Sequence, residues 1–152
     1  MVKNLSVNVL SGRSRTSSGK DFEVDKKFIH NIVRELKKEL GFDISGIQIN
    51  FVNSKEIMRI NKEYLDHNYS TDIVTFDYSE SQKNLEGEIY ISFDDAASNA
   101  KKYKEKLKEE IMRLVIHGFL HLLGFNDQSK KERIVMKKRE NQLYNRYTLL
   151  FR

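Results

Sequence analysis

The sequence predicts an α+β fold: a single mixed β-sheet of about four strands covered by about five helices, with a metal-binding helix near the C-terminal third. Three observations predict it. Period-two apolar segments and helical apolar stripes are mixed along the chain without a regular βαβ alternation. The length of 152 residues suits one domain, residues 1–152, long enough to bury about two-thirds of its unfolded surface. Two histidines, His117 and His121, lie four apart on a segment of helical periodicity and are followed by a glycine and an aspartate.

The elements follow in order. Val2 to Leu10 alternates loosely and predicts a strand, and Ser11 to Lys20 is a polar loop. Asp25 to Leu40 carries Phe28, Ile29, Ile32, Val33, Leu36 and Leu40 as one helical stripe ending at Gly41. Ile47, Ile49 and Phe51 alternate as a second strand. Ser54 is the expected cap of a helix running to about Glu63; the capping-box position three residues on is Ile57, so the cap is a single bond. Asp72 to Asp77 and Gly87 to Ser92 are short β-branched strands. A helix starts near Phe93, capped by Ser92 or Asp94, and runs to about Lys104. Leu107 to Leu123 is the next helix. The last spans Lys130 to about Tyr147, with Ile134, Val135, Leu143 and Tyr144 as its expected buried side.

Composition narrows the class. With 39% hydrophobic and 32% charged residues the chain is globular rather than disordered. It has no cysteine, which excludes disulfides and thiolate metal sites. No apolar run approaches the roughly 18 residues that span a bilayer, and the start lacks a secretory signal, so a cytoplasmic location is expected. The net charge of +5 is unevenly spread: residues 1–100 hold 13 Lys+Arg against 16 Asp+Glu, and residues 101–152 hold 14 against 6. One basic end suits a polyanionic partner such as RNA, and it equally suits a solvated helix face.

The chemistry concentrates in HGFLHLLGFND, residues 117–127. Side chains four apart on a helix share a face, so His117 and His121 can bind one ion. Gly124 can take the left-handed conformation that ends a helix and turns the chain back. That turn can return Asp127 as a third ligand, a frame matching the ligand spacing of zinc proteases whose glycine turn delivers the third ligand. Three protein ligands with an open position are the catalytic form of a zinc site. The alternative is a pair of buried, hydrogen-bonded core histidines. Zinc proteases place a general-base glutamate directly after the first histidine. Here that residue is Gly118, which argues against a peptidase.

At these residues the sequence resembles the YbeY family of bacterial ribosomal RNA maturation factors. The family block runs His-Gly, any residue, Leu-His-Leu, any residue, Gly-aromatic-Asp-His, and it matches His117 through Asp127. The family's Leu-Asn followed by Thr-Asp-Val-Leu-Ser-Phe matches Ile60-Asn61 and then Thr71-Asp72-Ile73-Val74-Thr75-Phe76. Its Gly-Asp-Ile and apolar block matches Gly87-Glu88-Ile89-Tyr90. The resemblance implies an α+β fold, one zinc ion per chain, and an endoribonuclease specific for single-stranded RNA. It also implies 3′-end maturation of 16S rRNA on the small ribosomal subunit and ribosome quality control. Expected partners are therefore RNA and the small subunit, with no DNA and no membrane, and the chain is expected to be a monomer. Two positions depart from the family. The third ligand, usually His, is Asp127, and the family's arginine after the tyrosine matching Tyr64 is Leu65. His67, Lys62 or Arg59 are the candidates to replace that positive charge.

Thr71 and Asp72 are candidate catalytic residues beside the metal-holding His117 and His121; a plain turn is the alternative. Glu110 and Arg113 lie on the ligand side of their helix, either supporting a ligand imidazole or forming a surface ion pair. Lys130, Lys131, Arg133, Lys137 and Lys138, with His67, are the candidate RNA contacts. Two routes to phosphodiester cleavage stay open, attack by activated water or by the ribose 2′-hydroxyl. A non-catalytic assembly factor that binds RNA is the competing function.

Overall fold

The structure is a computed structural model describing residues 1–10, 22–65 and 71–151. The polar loop expected over Ser11–Lys20 and the candidate His67 lie outside the described residues. Among the described residues the chain forms β1 (Leu5–Val9), α1 (Lys26–Leu40), β2 (Asp43–Val52), α2 (Ser54–Leu65), β3 (Ile73–Asp77) and β4 (Asn84–Ser92). Three helices complete it: α3 (Phe93–Lys102), α4 (Leu107–Leu122) and α5 (Lys130–Leu150). The sheet order is β1-β2-β4-β3. β1, β2 and β4 run parallel, and β3 pairs antiparallel with β4, which makes the sheet mixed as expected.

Strand alternation divides the sheet into two apolar faces. Ile47, Ile49, Phe51, Ile89 and Ile91 point into the main core with Ile32, Val33 and Leu36 of α1 and Val115, Phe119 and Leu122 of α4. Val52, Val74, Phe76 and Tyr90 face the other way, where Ile57 and Ile60 of α2 cover them. α4 is the central helix. It packs on β3 and β4 and is flanked by α1, α3 and α5, so both of its histidines are held by the most buried part of the molecule.

Two local expectations change. The cap of α2 is Asn53, whose Oδ1 accepts from the Glu56 N–H at 2.8 Å, while the Ser54 N–H donates to Asp94 Oδ2 at 2.9 Å. Ser54 is thus already the first helical residue, and the amide side chain before it reaches the third backbone N–H. On α5, Ile134 and Val135 are 60% and 52% exposed. The face turned inward is Met136, Glu140, Leu143, Tyr144 and Tyr147, and Ile134 and Val135 fall roughly 120–140° from its centre at 3.6 residues per turn. Packing of the terminal aromatic residues on the core is observed: Tyr147 is buried and meets Phe151 edge-on.

Candidate metal centre

α4 ends just past His121, and the backbone there does what the glycine requires. The Phe125 N–H reaches back to the Leu120 carbonyl at 3.0 Å and the Gly124 N–H to the His121 carbonyl at 3.0 Å. Gly124 has φ +98°, a conformation that a side chain would oppose. The chain then turns back along the helix. Arg133 Nη1 donates to the carbonyls of Asp127 and Gln128 at 3.2 and 3.0 Å, and Ser129 caps α5 through a reciprocal pair with Glu132. The segment carrying Asp127 is pinned at both ends.

As a result, one ligand atom each from His117, His121 and Asp127 lies within 4.8 Å of the others. His121 Nε2 stands 3.3 Å from Asp127 Oδ2, and the two imidazole centroids are 4.9 Å apart. Burial first, then the charge of His117, lowers the His121 pKa below its ordinary value, with Asp127 opposing. A lowered pKa keeps the ring neutral, the form that ligates. Two imidazoles and one carboxylate fit a divalent cation of the zinc type.

His117 has a partner that the local motif does not contain. Its Nδ1 lies 2.6 Å from Glu140 Oε1 on α5. Glu140 is 3% exposed. Burial pushes its carboxyl upward, but bonding to His117 and Lys137 outweighs this and holds the pKa at about 2. Lys137 Nζ sits 2.9 Å from Glu140 Oε2 and Arg113 Nη1 3.3 Å from it. The Arg113 guanidinium also lies 3.9 Å over the Tyr144 ring. One sequence signal pointed to Glu140. The basic helix α5 holds only two acids, and Glu132 is explained by the cap with Ser129, which leaves Glu140 to be accounted for.

Two of the three candidate ligands, His117 and Asp127, border a cleft of about 960 Å³ whose lining includes Asp72, Asn99, Glu110, Arg113, Arg133 and Lys137. Asn99 Nδ2 donates to both Asp72 Oδ2 and Glu110 Oε2, each at 3.3 Å. Burial raises the pKa of Asp72, with His117 opposing, and raises that of Glu110 to about 7. Glu110 is only 4% exposed, so its 3.8 Å pair with Arg113 is not the surface ion pair expected from spacing. The Thr71 hydroxyl donates locally to the Ile73 carbonyl at 3.2 Å, a turn bond, and Thr71 is not among the cleft-lining residues. Lys130, Lys131 and Lys138 are exposed on α5. Arg59 is clamped by Glu56 and Glu63 and lines a separate groove with Tyr64, Phe76 and Tyr90. Arg59 therefore lies outside this cleft. Lys62 is also absent from the cleft lining, and Leu65 ends α2 at 38% exposed.

Gly118 has a steric explanation. A Cβ there would stand 3.0 and 3.2 Å from two carbons of Ile89 and 3.3 Å from Ile73 Cδ1. The position faces the sheet.

A sequence model of the family described as Endoribonuclease YbeY matches residues 14–148. The chain is 36% identical over 119 residues to Endoribonuclease YbeY of Parabacteroides distasonis, covering 78% of this chain and 83% of that protein. It is 38% identical over 125 residues to that of Chlorobium phaeobacteroides, covering 82% and 87%. The fold is similar to the solution structure of a Thermotoga maritima protein, with a TM-score of 0.58 at 23% identity over 95% of this chain and 91% of that one. Among the described residues no helix is long and apolar enough to cross a membrane.

Proposed function

Because this chain belongs to the YbeY endoribonuclease family, we propose that it is a zinc-dependent endoribonuclease that cuts single-stranded RNA. Its place of action is 16S rRNA 3′-end maturation and ribosome quality control on the small subunit, as a cytoplasmic monomer. The observation that carries this reading is the convergence of His117, His121 and Asp127 on one point at the edge of a cleft.

His117, His121 and Asp127 would hold one zinc ion, and Glu140 orients the first of them. When bound, such an ion lowers the pKa of a coordinated water and polarises a phosphoryl oxygen. Glu110, raised to about 7, can give or take a proton near neutrality, and Asp72, bridged to it by Asn99 and also raised by burial, stands in the same cleft. Lys130, Lys131 and Lys138 remain exposed on α5, where they can meet phosphates. Arg133 and Lys137 already bond protein acceptors and serve first to shape it. With Asp127 in place of a third histidine, the ligand set is more negative by one unit, which makes coordinated water less acidic.

The test is cleavage of single-stranded RNA by zinc-loaded protein, by protein stripped of metal, and by the His121→Ala and Asp127→Ala variants. Cleavage lost on stripping and in both variants supports the reading. Identical cleavage by all four overturns it. A 2′,3′-cyclic phosphate end would assign the attack to the ribose hydroxyl; a plain phosphate end would assign it to water.

One observation favours the non-catalytic assembly factor. The cleft cation Arg113 is engaged by Glu105, Glu110 and Glu140, and Leu65 offers no phosphate fork. A variant lacking the metal ligands that still binds small subunits and restores growth would decide for it.

A further inference from the structure

We infer that Glu140 is a positioning residue for the metal centre: held by Lys137 and Arg113, it fixes His117 in the tautomer that leaves Nε2 bare to ligate. This rests on the metal reading above. Glu140 stands in the middle of the inward face of α5, between Met136 and Leu143, where a leucine would continue the apolar stripe. A carboxylate in such a place is costly to bury unless its partners require it. Its partners are three. Lys137 and Arg113 both approach Oε2, at 2.9 and 3.3 Å. The other oxygen, Oε1, is left to the His117 ring at 2.6 Å.

An ionised carboxylate only accepts hydrogen bonds. The ring nitrogen facing it, Nδ1, must therefore carry the hydrogen, and Nε2 keeps its lone pair. A neutral histidine in water prefers the opposite arrangement, with hydrogen on Nε2. Glu140 reverses that preference before any ion arrives. The negative charge behind the ring also makes its ligating nitrogen a better donor to a cation. Arg113 is held in turn by Asn141 at 3.2 Å and by the Tyr144 face, so the orientation of an α4 ligand is set by packing across α5.

Two measurements on full-length protein test this. In a zinc titration against a competing chelator, Glu140→Gln and Glu140→Ala should weaken binding about 10–100-fold, measured well below the melting temperature of each metal-free variant, which the loss of the buried partner of Arg113 and Lys137 should lower. Lys137→Met should weaken it less, since Arg113 still holds the carboxylate. In metal-free protein at mildly alkaline pH, nitrogen NMR should find hydrogen on His117 Nδ1 in the wild type and a shift toward Nε2 in Glu140→Ala. Folded Glu140→Ala with wild-type zinc affinity and an unchanged tautomer would overturn the inference. Should wild type itself take up no zinc, the metal reading falls, and the NMR comparison alone decides whether Glu140 sets the tautomer.

Discussion

Replacing Glu110 by glutamine should flatten the pH dependence of stability near neutrality. Glu110 is 4% exposed, is hydrogen-bonded by Asn99 and lies 3.8 Å from Arg113, with the charges of Asp72 and Glu105 acting on it. Burial raises its pKa from 4.5 to about 7, opposed in part by the Asn99 bond and the Arg113 charge. Between those two values the unfolded chain has released the proton that the folded chain keeps. Raising the pH therefore favours unfolding: the contribution is full below the unfolded pKa and is lost as pH rises through the folded one. The shift corresponds to about 3 kcal/mol at most. Glutamine cannot ionise and can still accept from Asn99, so the variant should lack this decline. The assay is urea unfolding of metal-stripped wild type and Glu110→Gln from about pH 5 to 7.5. Comparing the two proteins cancels His30 and His121, whose lowered pKa values work in the opposite direction. Glu140, at about 2, titrates below this window. The expected difference in slope amounts to about 2–3 kcal/mol across the window. Equal declines in both proteins would refute a protonated carboxyl at this position.

Gly87→Ala should lower the melting temperature, because its Cβ would stand 2.3 Å from the Phe76 carbonyl oxygen across the β3–β4 pairing; a cost of about 1–3 kcal/mol is expected, and an unchanged melting curve would contradict it. Gly124→Ala would force φ +98° on a residue with a side chain, at about 1–2 kcal/mol, and loosen the turn that delivers Asp127. Its zinc affinity, read by chelator competition, should fall, and wild-type affinity would count against that role. Tyr147→Phe should raise stability by about 1 kcal/mol in chemical denaturation, since the buried hydroxyl finds no hydrogen-bond partner among the described residues; a loss of stability would show that the hydroxyl is satisfied in solution.

The elements and the candidate ligand triplet were legible because each depends on short-range periodicity. His117 and His121 share a helix face whatever surrounds them, and Gly124 carries its turn in its own backbone. The parts that sequence reasoning missed depend on partners distant along the chain. Glu140 meets His117 across 23 positions, and Asn99 meets Asp72 across 27; no local pattern encodes either distance. The inward face of α5 was read correctly at Leu143 and Tyr144 and wrongly at Ile134 and Val135, for a related reason. Ile134 and Val135 are the most apolar pair there, but the choice of buried side is made by α4, whose Arg113 and His117 draw in Glu140 and Tyr144. The α2 cap is Asn53, one residue before the expected Ser54, and the backbone N–H of Ser54 is met by Asp94, 40 residues away.

Gly118 also constrains how this scaffold can change its chemistry. Converting the motif to that of a peptidase looks like one substitution, glycine to glutamate. That carboxylate would be planted among the methyl groups of Ile89 and Ile73, aimed at a β-sheet instead of at solvent. Accommodating it would demand simultaneous shrinkage of at least two strand residues. However alike the ligand spacing, the methyl groups of two isoleucines stand between this helix and the protease motif.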